Sequence, residues 1–96
     1  MEFDWDDAKA ASNEVKHGVS FEQAQALLES ETDHLEIFDA EHSDEEDRFI
    51  SIGPIDDGVI LVVWTERDED VIRIISARWA TTRERQKYMD HMEQRT

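Results

Sequence analysis

Four arginines fall within the single stretch Val71-Ile72-Arg73-Ile74-Ile75-Ser76-Ala77-Arg78-Trp79-Ala80-Thr81-Thr82-Arg83-Glu84-Arg85. Its first half is rich in Ile and Val and reads as a strand. Its second half opens a helix with the Thr81-x-x-Glu84 capping box: the threonine oxygen accepts from the third helical N–H, and the glutamate reaches back to the cap. Arg73, Arg78, Arg83 and Arg85 are thus presented by a rigid strand and a helix N-terminus together. The chemistry this suits is a phosphate diester. Arginine offers a planar fork of donors that stays charged at any working pH, and a helix start adds unpaired N–H groups and partial positive charge. The plainer alternative is an ordinary core strand whose arginines pair with surface carboxylates.

The elements that must position these groups can be read along the chain. Met1–Trp5 reads as a short strand with Phe3 and Trp5 on one side. Asp6 caps a helix that runs to about His17 and stops at Gly18, with Ala8, Ala11 and Val15 as its inward, small-residue face. Lys9, Asn13 and Lys16 or His17 form a polar stripe on the same helix. A second helix begins at the Ser20-x-x-Gln23 box, buries Phe21, Ala24, Leu27 and Leu28, and fades near Glu29–Thr32. Leu35–Phe38 is a short strand, and the carboxylate-rich segment Asp39–Asp47, which holds His42, reads as a solvated loop. Arg48–Ile55 and Val59–Thr65 are strands joined through Asp56-Asp57-Gly58, where Asp-Gly suggests a type I′ hairpin turn. Arg67–Asp70 turns the chain into Val71–Trp79, and a last helix runs from Thr82 to about Gln94 with Tyr88, Met89 and Met92 as its apolar patch. Trp5 and Trp64 read as core. The expectation is one small α+β domain over residues 1–96, with an antiparallel sheet of three to five strands, two N-terminal helices and one C-terminal helix, the helices on one side of the sheet.

At 96 residues there is room for one core and little more. Hydrophobic content of 39% in periodic runs argues against disorder. With no cysteine, neither disulfides nor thiolate metal sites are available, and a reducing cytoplasm is the simplest location. No signal-peptide layout or membrane-length apolar run is present, so no membrane association is expected. No Gly-rich phosphate loop occurs either. The net charge of −15 is unevenly spread. Residues 1–70 hold 4 Lys/Arg against 22 Asp/Glu, a balance of −18, while residues 71–96 hold 6 against 3, a balance of +3. An anion suits the C-terminal part and a basic protein the rest. An acidic mimic of nucleic acid would use the charge but leave the basic end unexplained.

The residues Trp5-Asp6-x-x-Lys9-x-x-x-Asn13-x-x-Lys16-His17-Gly18-Val19-Ser20-Phe21-Glu22-x-Ala24 resemble the N-terminal signature of BrnT-type toxins. Asp44-Glu45-Glu46-Asp47-Arg48-Phe49, Thr65-Glu66-Arg67, Arg73-Ile74-Ile75-Ser76-Ala77-Arg78, Arg83-Glu84 and Tyr88 match the same family in the same order. The resemblance implies a RelE-like fold and a type II toxin that cleaves RNA without a cofactor and so halts translation. It also implies a BrnA-type ribbon-helix-helix antitoxin as partner, a dimer within the joint complex, and operator DNA reached only through that antitoxin. The chain departs from the family where lysine usually follows Arg78; here Trp79 offers a surface on which a base can stack.

Metal-independent RNA cleavage needs a base for the 2′-hydroxyl, an acid for the leaving 5′-oxygen and cations for the phosphorane. Arg67 and Arg78 are the candidate phosphate clamp, with Arg83 assisting. His17 is the candidate acid or base, its ordinary pKa of about 6.5 serving either role. Glu22 and Glu84 act as base or hold an arginine in place, and Tyr88 donates a proton or stacks. Lys9, Asn13, Lys16 and Arg73 are candidate RNA contacts. Plainer roles stand beside these: His17 as a helix C-cap, Glu84 as half of a capping box, and Lys9, Asn13 and Lys16 as a solvated helix face. The competing function is a binding module that grips its antitoxin and serves as co-repressor, with little or no nuclease activity.

Overall fold

The computed structural model describes residues 1–30 and 34–94. Eight elements follow one another: β1 Glu2–Asp4, α1 Asp7–His17, α2 Phe21–Glu29, β2 Leu35–Phe38, β3 Arg48–Ile55, β4 Gly58–Arg67, β5 Val71–Trp79 and α3 Thr82–Gln94. A single 3₁₀ turn, Ala40–His42, interrupts the acidic loop before β3. The strands form one sheet in the order β1-β5-β4-β3-β2. β2 through β5 are antiparallel, but β1 runs parallel to β5, so the sheet is mixed.

Local chemistry fixes the helix ends. The Asp6 side chain accepts the Lys9 N–H at 3.0 Å, and Gly18 closes α1 at φ +72°, its N–H on the Glu14 carbonyl. Ser20 and Gln23 form the expected capping box of α2. This helix ends at Glu29 with Ser30 as its cap, so the reading that it fades toward Thr32 reaches outside the described residues. The β3–β4 hairpin is present, with Ile55 paired to Gly58. Its turn differs from the type I′ reading: the two central residues are Asp56 and Asp57, neither at positive φ, and Gly58 behind them has φ +152°.

Side-chain parity along the strands sorts the two faces. Ile60, Val62 and Trp64 of β4 and Ile72, Ile74 and Ala77 of β5 face Val19, Phe21, Ala24 and Leu27, all buried in one cluster. Fully burying each large member contributes roughly 1.5–3 kcal/mol. Trp5 packs edge-on against Phe21, and Trp64 is 7% exposed, so both tryptophans read as core belong to it. The β4–β5 register slips between Val63 and Trp64, which leaves Ile75 as an extra residue on β5. That bulge keeps Ala77 and Trp79 on the helix side and turns Ser76 and Arg78 to the opposite face, where ordinary alternation already puts Arg73.

Two expectations are corrected here. The helices do not share one side: α1 and α2 pack on β5 and β3 over the core, whereas α3 crosses the opposite face against β3 and β2. The Arg78 side chain, on that opposite face, is bound by Glu84 of α3. The inward face of α1 is also rotated from the one read in the sequence. Val15 is 90% exposed, Ala8 and Ala11 are exposed, and Ala10, Asn13 and His17 turn toward the sheet. The cause lies in β5. Its pairing with β1 ends at Arg73, leaving the backbone from Ile74 onward without a strand neighbour on that side. Asn13 supplies one: its amide accepts the Ala77 N–H at 3.2 Å and donates to the Ala77 carbonyl at 2.7 Å and the Val19 carbonyl at 3.0 Å. A buried edge N–H and C=O must be satisfied, and this outweighs burial of a few alanine methyls. No described helix is long and apolar enough to cross a membrane.

Candidate active site

The strand-to-helix junction read from the sequence is built as expected at its hinge. Glu84 N–H donates to the Thr81 hydroxyl at 3.2 Å, and the Glu84 carboxylate accepts the Thr81 N–H at 2.8 Å. The same carboxylate takes the Arg78 fork in a bidentate pair at 2.8 and 2.9 Å. Arg78 donates further to the Trp79 carbonyl at 3.2 Å. The Arg78 hydrogen bonds, followed by the capping N–H of Thr81, hold the Glu84 carboxyl down at about 2. Glu84 also raises the pKa of Arg78, so both partners stay charged. Glu84 is therefore a cap and an arginine holder at once, and Arg78 is locked rather than searching rotamers.

Around the same end of the sheet lie the α1–α2 corner and Trp79. The indole lies against Gly58, where a Cβ would come within 3.2 Å of the ring, and its Nε1 approaches Gly18, where a Cβ would stand 3.8 Å away. Trp79 itself is 39% exposed. His17, half-buried, precedes Gly18, and Lys16 is exposed beside it. Asn13, one turn earlier, ties α1 to Ala77, so His17 stands at the same end of β5 as Arg78, though α1 packs on one face of the sheet and the Arg78 side chain lies on the other. Arg83 stands exposed in the first turn of α3. Tyr88 lies one turn past Glu84 and lines a shallow groove of 530 Å³ with Val59, Thr82, Arg85, Gln86 and Met89.

Arg67 is not part of this group. Arg78 pairs with Leu61 and Arg67 with Val71. Leu61 and Arg67 stand six residues apart on β4, about 20 Å along an extended strand. The two guanidiniums share a face of the sheet but lie at opposite ends of it, so they cannot clamp one diester. The sequence reading itself put Arg67 at the turn and Arg78 near the far end of the returning strand, and the proposed clamp did not follow that layout through. Arg67 instead neighbours Arg73, which pairs with Thr65, and Arg48 completes that row from β3. Sequence reasoning missed Arg48. The alternation of Arg48 against Phe49 put it off the core face, but only the register shows its alignment with Arg73.

Two further candidates move. Asn13 is 8% exposed with both ends of its amide engaged by backbone, so it is a structural pin and not an RNA contact. Lys9 and Lys16 stay exposed without it. Glu22 is exposed in the first turn of α2, where its charge favours the helix start. In the acidic loop His42 Nδ1 is 2.9 Å from Asp39, and among the described residues no cluster of three His, Asp or Glu is arranged to hold a metal ion.

Among the described residues, Arg67, Arg73 and Arg78 each carry a carboxylate partner. Besides Arg78 with Glu84, Arg73 meets Asp4 at 2.8 Å and Arg67 meets Glu46 at a looser 3.7 Å. The plainer reading of the sequence, arginines paired with surface carboxylates, is thus part of the site's geometry. A polyanion binding this face displaces or shares those partners.

Comparison with known proteins adds the following. A family model described as "Ribonuclease toxin, BrnT, of type II toxin-antitoxin system" matches residues 5–84. The crystal structure of the Brucella abortus ribonuclease toxin BrnT is similar in fold, with a TM-score of 0.64 and 22% sequence identity. The likeness covers 85% of this chain and 99% of that one. No curated protein sequence matches the chain.

Proposed function

The chain belongs to the BrnT family of ribonuclease toxins of type II toxin–antitoxin systems, and from that premise we propose that it cleaves RNA by metal-independent transesterification. The observation that carries this reading is the Arg78 fork, fixed by Glu84 at a helix start and flanked at the same end of the sheet by the His17 corner. In the proposed reaction the 2′-oxygen attacks phosphorus as its proton passes to a base. The bond to the 5′-oxygen breaks as an acid protonates that oxygen, leaving a 2′,3′-cyclic phosphate. Arg78, assisted by Arg83, neutralises the charge gathering on the phosphorane, and a pre-positioned guanidinium does so without reorganising during the reaction. His17 moves the proton. Glu84 acts as a positioning residue for Arg78 rather than as a base, since a carboxyl held at about 2 is a poor proton acceptor. Trp79 offers its exposed ring to a neighbouring base. Lys9, Lys16, Arg67 and Arg73 contact phosphates away from the scissile one, with Arg73 serving the RNA about 13 Å and Arg67 about 20 Å along the sheet. A BrnA-type antitoxin neutralises the protein, brings the complex to operator DNA and completes the assembly in the cell's cytoplasm.

The test is incubation of the purified chain with total RNA in EDTA. Cleavage is expected, and the Arg78→Ala variant should lose it. Intact RNA, or equal cleavage by both proteins, refutes the assignment. One observation favours the second reading, an antitoxin-gripping co-repressor with weak nuclease activity: Arg67, Arg73 and Arg78 each already hold a carboxylate. That reading expects nanomolar, salt-sensitive antitoxin binding that survives loss of Arg78.

A further inference from the structure

On the side of the sheet remote from the Arg78 junction, three rings form a ladder that runs out into solvent. Trp64 is buried, Phe49 stacks on it at 4.6 Å with an interplanar angle of 20°, and Phe38 meets Phe49 edge-on at 5.6 Å. Phe38 is 51% exposed and ends β2, the last strand of the sheet. Among the described residues β2 pairs only with β3, so its outer row of N–H and C=O groups has no strand partner. Edges are commonly blunted by shortness, charge, proline or a bulge; this short one carries acidic Glu36 beside apolar Phe38, which disfavours another acidic edge and leaves a basic strand favoured. Both lie on the ladder's face, opposite Ser51 and Phe49 respectively. Phe49 also floors a 560 Å³ groove walled by Asp44, Glu46, Asp47, Glu66 and Asp68, among others.

We propose that β2 is a docking edge for an extended, basic segment of a partner protein, which adds as a sixth strand and lays alternate Arg or Lys side chains over Glu36, Phe38 and the carboxylate-walled groove. Period-two alternation puts every second side chain of an added strand on one face, so cations spaced in that way all meet the ladder side. Each finds two attractions there: an ion pair with a carboxylate, and a cation held against an aromatic ring with its aliphatic stem on apolar surface. A nucleic acid is repelled by the carboxylates that line the groove. A polyamine would satisfy the charges but leave the backbone edge and the exposed Phe38 ring unused. The proposal needs neither RNA nor Arg78, so it stands or falls independently of the nuclease reading.

The experiment uses the full chain, ¹⁵N-labelled, titrated with a capped peptide of alternating arginine and valine. The expected result is micromolar binding that weakens with added salt, with amide shifts concentrated on Leu35–Phe38. Phe38→Ala and Glu36→Lys should each weaken binding at least about tenfold, and both positions are exposed enough to leave the fold intact. Two further probes decide the mode. A peptide of equal charge in which proline replaces valine loses every second backbone N–H and the extended φ at those positions, and should bind at least about tenfold more weakly; spermidine should not shift the β2 amides in the strand pattern. Absence of peptide binding, equal binding of the proline peptide or of spermidine, or shifts lying elsewhere would overturn the proposal.

Discussion

Replacing Glu84 by Gln isolates the charge in the Arg78 pair while keeping an oxygen for the Thr81 N–H. The carboxyl is depressed from 4.5 to about 2, a difference that corresponds to at most about 3 kcal/mol of folding stability at neutral pH. The side chains are 37% and 22% exposed, so solvent screening brings the expected loss to about 1–2 kcal/mol. In a domain of this size that lowers the melting temperature by roughly 5–10 °C. The pH dependence follows from the direction of the shift. A depressed carboxyl stabilises the fold above its unfolded value near 4.5, and that contribution is lost as pH falls toward about 2. The gap between the native protein and Glu84→Gln should therefore be full at pH 7 and have fallen to under about half by pH 3. Urea unfolding of both proteins across that range reads it directly. A gap that is absent at pH 7, or that stays constant down to pH 3, refutes the claim that Glu84 is held ionised by Arg78. In the RNA assay the same variant should lower turnover and leave KM nearly unchanged, as expected of a group that aims the guanidinium and does not itself bind substrate.

Other expectations follow from the same structure. Asn13→Ala removes three buried hydrogen bonds and should cost about 2–4 kcal/mol in urea unfolding; a loss within experimental error would mean that β5 needs no pin. Gly53→Ala places a Cβ within 2.7 Å of both the His34 Cβ and a Leu27 methyl, and calorimetry should show a destabilisation of about 1–3 kcal/mol. Arg67→Ala and Arg73→Ala should raise KM and make it less salt-dependent, by a slope of about 0.7 for each phosphate no longer neutralised, with kcat little changed. Arg78→Ala should instead lower kcat by about a hundredfold or more. If Arg67→Ala matches that loss in kcat, the separation of about 20 Å assigned from the strand register is wrong.

Local signals were legible in the sequence and distant ones were not. The caps at Asp6, Ser20 and Thr81, the stop at Gly18 and the span Val71–Trp79 depend on residues a few positions apart, and each was readable from spacing. The face of α1 was misread because apolar periodicity assumes that burial of methyl groups orients a helix. Here an unpaired strand edge orients it, and Asn13 answers a demand arising 64 residues away. The side taken by α3 was likewise hidden. It depends on one extra residue, Ile75, whose bulge reverses the parity of everything after it and so sends Arg78 to the face opposite Ile72 and Ile74.

That bulge also governs how the site relates to the charge of the protein. Were β5 regular, Arg78 would lie on the same side as Ile72 and Ile74, against α1 and α2, and Glu84 could not reach it from α3. With the bulge, Arg73, Arg78 and Arg67 share the face that α3 crosses, each with one carboxylate beside it. Only the Arg78 pair is bidentate and only its carboxyl is strongly depressed, so the three differ in how readily an incoming phosphate displaces the resident anion. Arg67, with a contact at 3.7 Å between exposed side chains, gives way first. In the proposed function Arg78 keeps Glu84 and approaches a phosphate with its remaining N–H groups. The charge that makes the whole chain repel RNA at long range thus leaves one guanidinium oriented at short range, and lowering the ionic strength should slow association with RNA while leaving turnover of bound RNA unchanged.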